Sequence, residues 1–322
     1  MFRVSGIVAA AVALVGILPP WSAHAAIAEP DVPAGLLSLC LATLPETTPG
    51  QVWASWSLSP VIVLPLALFG ILYARGITRM GGEARPSLVR QLQYAAGMAC
   101  LILALVSPLC RMAATLAWAH MIQHVLLVAG APLLLALSRP GDALLHGLPG
   151  LLRARIESLP PGSSVVRSHA YLLAGFLLYG ANIWLWHIPA LYQGALLNAG
   201  LHLLMYAVLL TASLVFWHGV LETYRMPGAG SGLAAALLFF TFLHTALLGV
   251  LLALSPYVWY PLLAERGAAW GLSALDDQRL AGLIMWIPMG GVYFAAALAI
   301  LAKLIAGSGR AARNSTASVQ AR

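Results

Sequence analysis

Seven long stretches of this chain contain no Asp, Glu, Lys or Arg: Trp56–Ala74, Leu92–Leu109, Leu116–Leu137, Ser168–Trp186, Leu201–Leu221, Gly232–Leu254 and Leu280–Ala302. A helix of about 20 apolar residues, rising 1.5 Å per residue, crosses the roughly 30 Å hydrocarbon layer of a bilayer. All seven stretches approach that length. Backbone polar groups in lipid must be satisfied within the segment or in a closed barrel. Barrel strands would be about ten residues of alternating polarity, and these stretches do not alternate. The expected fold class is all-α: a polytopic membrane helical bundle of seven transmembrane helices. Only 8% of the 322 residues are charged, against about 25% in a soluble domain. A soluble enzyme, a disordered tail and a fibrous repeat are excluded on that ground. The formal net charge of +7 raises the question of nucleic acid. However, the basic residues sit in short loops, and no basic face is long enough to follow a phosphate backbone.

Residues 1–25 read as a signal peptide preceding the seven spans. Arg3 is the charged start, Ile7–Leu18 a short apolar run, Pro19-Pro20 its break, and Ala23-His24-Ala25 an A-x-A cleavage site. The expected organisation is that signal peptide, a periplasmic segment over 26–55, a membrane domain over 56–305, and a polar, disordered cytoplasmic tail over 306–322. One set of loops carries thirteen Arg and Lys, from Arg75 to Arg322, and the other carries Arg111, Arg266 and Arg279. Cytoplasmic loops hold the excess of basic residues. That side is therefore the cytoplasm, the mature N-terminus is outside and the C-terminus inside, in a bacterial inner membrane. Cys40, Cys100 and Cys110 form no CxC or CxxC. They suggest neither a disulfide framework nor a zinc site.

Ionisable residues inside a membrane are costly, and each is a functional candidate. Here they are all histidines. His187 ends the fourth span and His202 begins the fifth, both at the outer rim. From the helical rise, His120 lies roughly 6 Å below that rim, His124 roughly 12 Å and His244 roughly 15 Å. His120 and His124 are four apart and share a helix face, which suits a metal or a proton relay. Each His could instead simply bond to a neighbouring helix, although five at related depths favour a shared site. Met121, Met205, Met285 and Met289 accompany them. Thioethers at helical spacing are often core filler, yet imidazole with thioether suits Cu(I). Asp276 or Asp277 suits the cap of the seventh span, and one carboxylate also suits steering a cation or orienting a ligating His. His24, His146, His169 and His218 read as structural or incidental. Pro132 and Pro288 lie within spans and are expected to kink them.

The ordered set His120-x-x-Gln123-His124, Ala131-Pro132, Ser138-Arg139-Pro140, Trp186-His187-x-Pro189-Ala190-Leu191-Tyr192, His202, Phe216-Trp217 and Leu275-x-Asp277-Gln278-x-Leu280-Ala281-Gly282-Leu283-x-Met285-Trp286-x-Pro288 resembles the multispan CtaG-type cytochrome c oxidase assembly factor family. The resemblance covers roughly residues 55–305. It implies a non-enzymatic role in maturing a terminal oxidase by supplying copper. Together with the histidine reading, the expected metal residues are His120, His124, His187, His202, His244, Asp277 and Met285. The expected partners are oxidase subunits, the lipid bilayer and periplasmic copper chaperones. Where relatives often carry a further acidic or His residue a turn after the His202 position, this chain has Met205-Tyr206. That departure leaves the number of ligands open. Two other readings stand beside this one. A haem-binding electron-transfer protein would use His124 with His202 or His244, but the inner half has few histidines. A copper permease would need polar groups continuing to the far side. A retinal pump is excluded, because Lys303, the only lysine, lies at a span edge.

Overall fold

The computed structural model describes residues 38–158, 169–225 and 230–320. The signal-peptide assignment falls outside the described residues. Of those described, 82% are helical and none lies in a strand. Six helices are long and apolar enough to span a membrane: α1 Pro60–Arg79, α2 Gly82–Leu105, α3 Ala117–Ser138, α6 Ala199–Tyr224, α7 Gly230–Leu254 and α8 Ala274–Gly307. The count is seven if the pair α4 His169–Trp186 and α5 Pro189–Leu197, which bend by 77° at His187-Ile188, is taken as one broken span. The last helix runs on to Gln320, through the segment that the sequence reads as a disordered tail. Propagating an existing helix needs no new nucleus, and Ala and Arg in this stretch are good helix formers.

α3 lies at the centre. Of its apolar stretch 61% is buried, against 11% for the peripheral α1. Its second half packs on α2 and α6 and its first half on α8. α7 runs along both halves of α8, and α4 packs on α6 and α7. Gly249 of α7 and Gly282 of α8 let these two long helices approach closely. A Cβ on Gly282 would lie 2.5 Å from the Gly249 carbonyl oxygen and 2.6 Å from the Ala253 nitrogen. Small residues allow such contact where no hydrophobic drive separates helix from lipid.

Pro132 and Pro288 are accommodated by π-helical turns, over Val125–Gly130 and Met285–Met289. Pro132 has no N–H to offer the Val128 carbonyl four residues earlier. That carbonyl instead accepts from Trp217 Nε1 at 3.3 Å and Tyr293 Oη at 3.2 Å. Tyr293 and Tyr179 hydroxyls pair at 2.7 Å, and these side chains with Phe216 are fully buried. The interior beyond the first two turns of α3 is therefore filled with aromatic rings.

Cys40 and Cys110 form a disulfide, with Cα atoms 5.6 Å apart. This corrects the expectation of no disulfide framework: the bundle joins two loops 70 residues apart, and spacing motifs detect only local pairs. Arg266 extends the clamp, donating to the carbonyls of Ala114, Ala42 and Leu44 at 2.7–3.0 Å. Arg111 Nη2 donates to Pro45 O at 3.1 Å and Trp270 Nε1 to Thr47 O at 2.8 Å. This disulfide end is where α1, α3, α6 and α8 begin.

Candidate metal centre

The N-terminus of α3 has no cap of its own, since Leu116 at that position offers no side-chain acceptor. Asp277 of α8 takes the role from across the interface. Its carboxylate accepts from Ala117 N at 2.8 Å and Trp118 N at 2.9 Å, and its negative charge faces the positive end of the helix dipole. α8 is capped by Ser273, whose Oγ accepts from Asp276 N. Asp277 thus holds in place the first turn of α3, and with it the next two turns carrying His120 and His124. These two imidazoles are buried, with ring centroids 4.4 Å apart.

His187 sits at the bend between α4 and α5. The bend turns its ring toward His124, with centroids 5.7 Å apart. Its Nδ1 lies 2.7 Å from Ile183 O, and the Tyr260 hydroxyl donates to the His187 carbonyl at 3.1 Å. His202 lies in the first turn of α6, a helix capped by Asn198 Oδ1 accepting from Leu201 N. Its Nδ1 lies 3.0 Å from Ala195 O. A carbonyl can only accept, so Nδ1 carries the proton in both rings and Nε2 keeps its lone pair. The tautomer follows here from the partners. Imidazoles that ligate metals are oriented by such an outer hydrogen bond. His202 and His187 both lie within electrostatic reach of His120 and His124.

Between these groups is a cavity of about 10 Å³, lined in part by His120, Met121, His124, His187, Tyr192 and Tyr260. That volume admits about one water-sized sphere. Several of the buried polar atoms without a partner belong to residues in and around this site: His120 Nδ1, His124 Nε2, His202 Nε2, Tyr192 Oη, Trp186 Nε1 and Gln123 Oε1. Most buried polar atoms in proteins have a partner, and these atoms stand out for lacking one. No residue lining the cavity is a carboxylate. Among the described residues, no three His, Cys, Asp or Glu side chains are already arranged around one ion position.

Of the seven expected site residues, the fold brings together four: His120, His124, His187 and His202. Asp277 is placed differently, with its oxygens committed to two amides. Met285 is fully buried in the core but does not line the cavity, whereas Met121 does. His244 has a suitable depth and the wrong bearing. It lines a separate apolar groove with Phe176, Phe240 and Leu243, and its ring lies 6.1 Å from Phe176. Depth follows from the helical rise, but the rotation of α7 is set by packing. Sequence reasoning missed Tyr192 and Tyr260 as site residues. The Tyr192 ring lies tilted against His120, with centroids 4.5 Å apart, and meets Tyr260 edge-on at 4.8 Å. The available signal was Tyr192 five residues after His187 within one motif, across a Pro that begins a new helix. Gln123 is also part of the site's frame, donating to Ala104 O at 2.7 Å and Tyr206 Oη at 2.9 Å.

The fold and site define a multi-pass helical membrane protein with a buried histidine cluster near one end. Residues 71–306 match the family described as cytochrome c oxidase caa3 assembly factor. The match spans well over half of the chain, and the protein belongs to that family. No curated protein and no solved structure matches it.

Proposed function

We propose that this assembly factor carries a single Cu(I) ion as cargo, held by His120, His124, His187 and His202, and passes it to a subunit of cytochrome c oxidase. The observation that carries the reading is the gathering of buried imidazoles at a cavity the size of one ion: His120, His124 and His187 line it, and His120 Nδ1, His124 Nε2 and His202 Nε2 have no partner. The donors are neutral imidazoles with a thioether nearby, which suit a soft monovalent ion. With no carboxylate to offset the charge, a divalent ion would be less favoured. The rings must rotate to close around the ion. A site only partly organised for its cargo releases it more readily than a thiolate cage would. No bond-making step is required, so the role is delivery and not catalysis.

In this reading the disulfide end faces the periplasm and the C-terminus the cytoplasm of a bacterial inner membrane. Two features support that orientation: the concentration of arginines at the opposite end, and a disulfide, which persists in an oxidising compartment. Copper would arrive from periplasmic chaperones. A haem reading fits less well, since a one-sphere cavity leaves no room for a porphyrin between the rings. A permease reading fits less well too, because Trp217, Tyr179, Tyr293 and Phe216 fill the route to the other side.

The test is oxidase metallation in membranes of cells carrying His120→Ala with His124→Ala. The expected result is copper-deficient oxidase while the variant accumulates normally. Fully metallated oxidase in that strain would overturn the site assignment.

A further inference from the structure

The Ser138-Arg139-Pro140 motif lies far from the histidine cluster, and copper delivery leaves it unused. Arg139 ends α3 with φ +50° and ψ +60°, the left-handed region. It is the only described non-glycine residue with positive φ. Glycine or asparagine normally takes such a helix-ending position, and Pro140 bars Arg139 from continuing the helix. A backbone strain of this kind at an arginine points to a role for its side chain.

That side chain points to a charged nook at the ends of α3 and α6. Glu222, buried near the end of α6, is bridged by both Arg139 and Arg225. Arg90 and Asp142 also lie within electrostatic reach of Arg139. Three guanidiniums therefore face two carboxylates, an excess of one positive charge. His218 is near enough to feel Glu222, Arg225 and Arg139. Even so, the Arg139 Nε–H is buried and donates to nothing. A guanidinium is an always-charged, planar donor fork that matches phosphate oxygens. A fork with one prong unused, in a nook of excess positive charge, lacks an anionic oxygen.

The nook lies where α3 and α6 leave the hydrocarbon layer, the level of lipid headgroups. Basic pockets between transmembrane helices at this level take anionic headgroups. We infer that Arg139, with Arg225 and Arg90, forms a binding site for the phosphate of an anionic phospholipid, and that Glu222 is the internal counter-charge with which that phosphate competes. The inference does not depend on copper binding.

The full-length protein is purified in detergent micelles doped with phosphatidylglycerol or phosphatidylcholine, or supplied with inorganic phosphate. Thermal melting and lipid retention in native mass spectrometry are then read. Phosphatidylglycerol should raise the melting temperature and be retained, and the other two should do neither. Arg139→Gly suits the left-handed backbone and removes only the side chain. It should melt near wild type in phosphatidylcholine and retain phosphatidylglycerol about tenfold more weakly, as for one lost charge-assisted bond. Glu222→Gln removes an internal competitor and should strengthen retention. Equal phosphatidylglycerol stabilisation of wild type and Arg139→Gly would overturn the site, as would weaker retention by Glu222→Gln. Stabilisation by free phosphate as large as by the lipid would overturn the headgroup as the source.

Discussion

Replacing Asp277 separates its role as a cap from a role as a metal ligand. Its two oxygens accept the first two amides of α3 across an interface between residues about 160 positions apart. Asp277 is only 4% exposed, so water cannot substitute for it. Asp277→Ala leaves two buried N–H groups unsatisfied. At about 1–3 kcal/mol each, the loss is roughly 2–6 kcal/mol. That is a large fraction of the about 5–15 kcal/mol that holds a typical domain. Asp277→Asn keeps one acceptor oxygen and gives up the charge facing the helix dipole, so about half of that loss is expected. The assay is fluorescence-detected size-exclusion chromatography after a temperature ramp, in one detergent, for all three proteins. Copper per folded molecule is then measured on the surviving monodisperse peak. Apparent melting temperatures should fall in the order wild type, Asn, Ala, while the folded Asn variant keeps its copper. An Ala variant that melts with wild type would refute the cap. An Asn variant of wild-type stability that loses copper would make Asp277 a ligand.

Three further perturbations follow from the same contacts. Cys40→Ser opens a cross-link spanning 70 residues and should cost about 4 kcal/mol by loop-closure entropy; a reductant should lower the wild-type melting temperature to match, and Cys100→Ser should melt unchanged. Gly282→Ala places a Cβ 2.5 Å from the Gly249 carbonyl oxygen, so α7 and α8 must separate, at about 1–3 kcal/mol, visible as a lower melting temperature and faster proteolysis of the loop joining them. Tyr293→Phe removes the hydroxyl shared by Tyr179 and the Val128 carbonyl and should cost about 1–3 kcal/mol in thermal melts, with copper content unchanged.

The spans were legible in the sequence because a membrane helix is a local object. Each charge-free run of near-spanning length became a helix, with ends displaced by up to ten residues; the fourth, Ser168–Trp186, is α4, and α5 beyond the bend lies outside it. His120 and His124 were readable as a pair because the i, i+4 relation is intrinsic to one helix. What joins different helices was not. His244 lies at a suitable depth but faces a lipid-side groove, since no local pattern sets the rotation of α7. Asp277 lies in the first turn of its own helix, where an acidic residue commonly serves that helix, and here it serves α3. The Cys40–Cys110 pairing and the Tyr192–Tyr260 contact arise only once distant loops meet. The bend that turns His187 inward could be placed at Pro189, but its 77° angle could not.

Metal content of the detergent-purified protein tests the central claim most directly, with elemental copper and iron and a visible spectrum taken from one sample of copper-replete cells. Close to one copper per chain and no Soret band are expected, with loss of the copper in His120→Ala with His124→Ala while the fold is kept. Iron with a Soret band would make this a haem protein, and absence of both metals would contradict copper delivery.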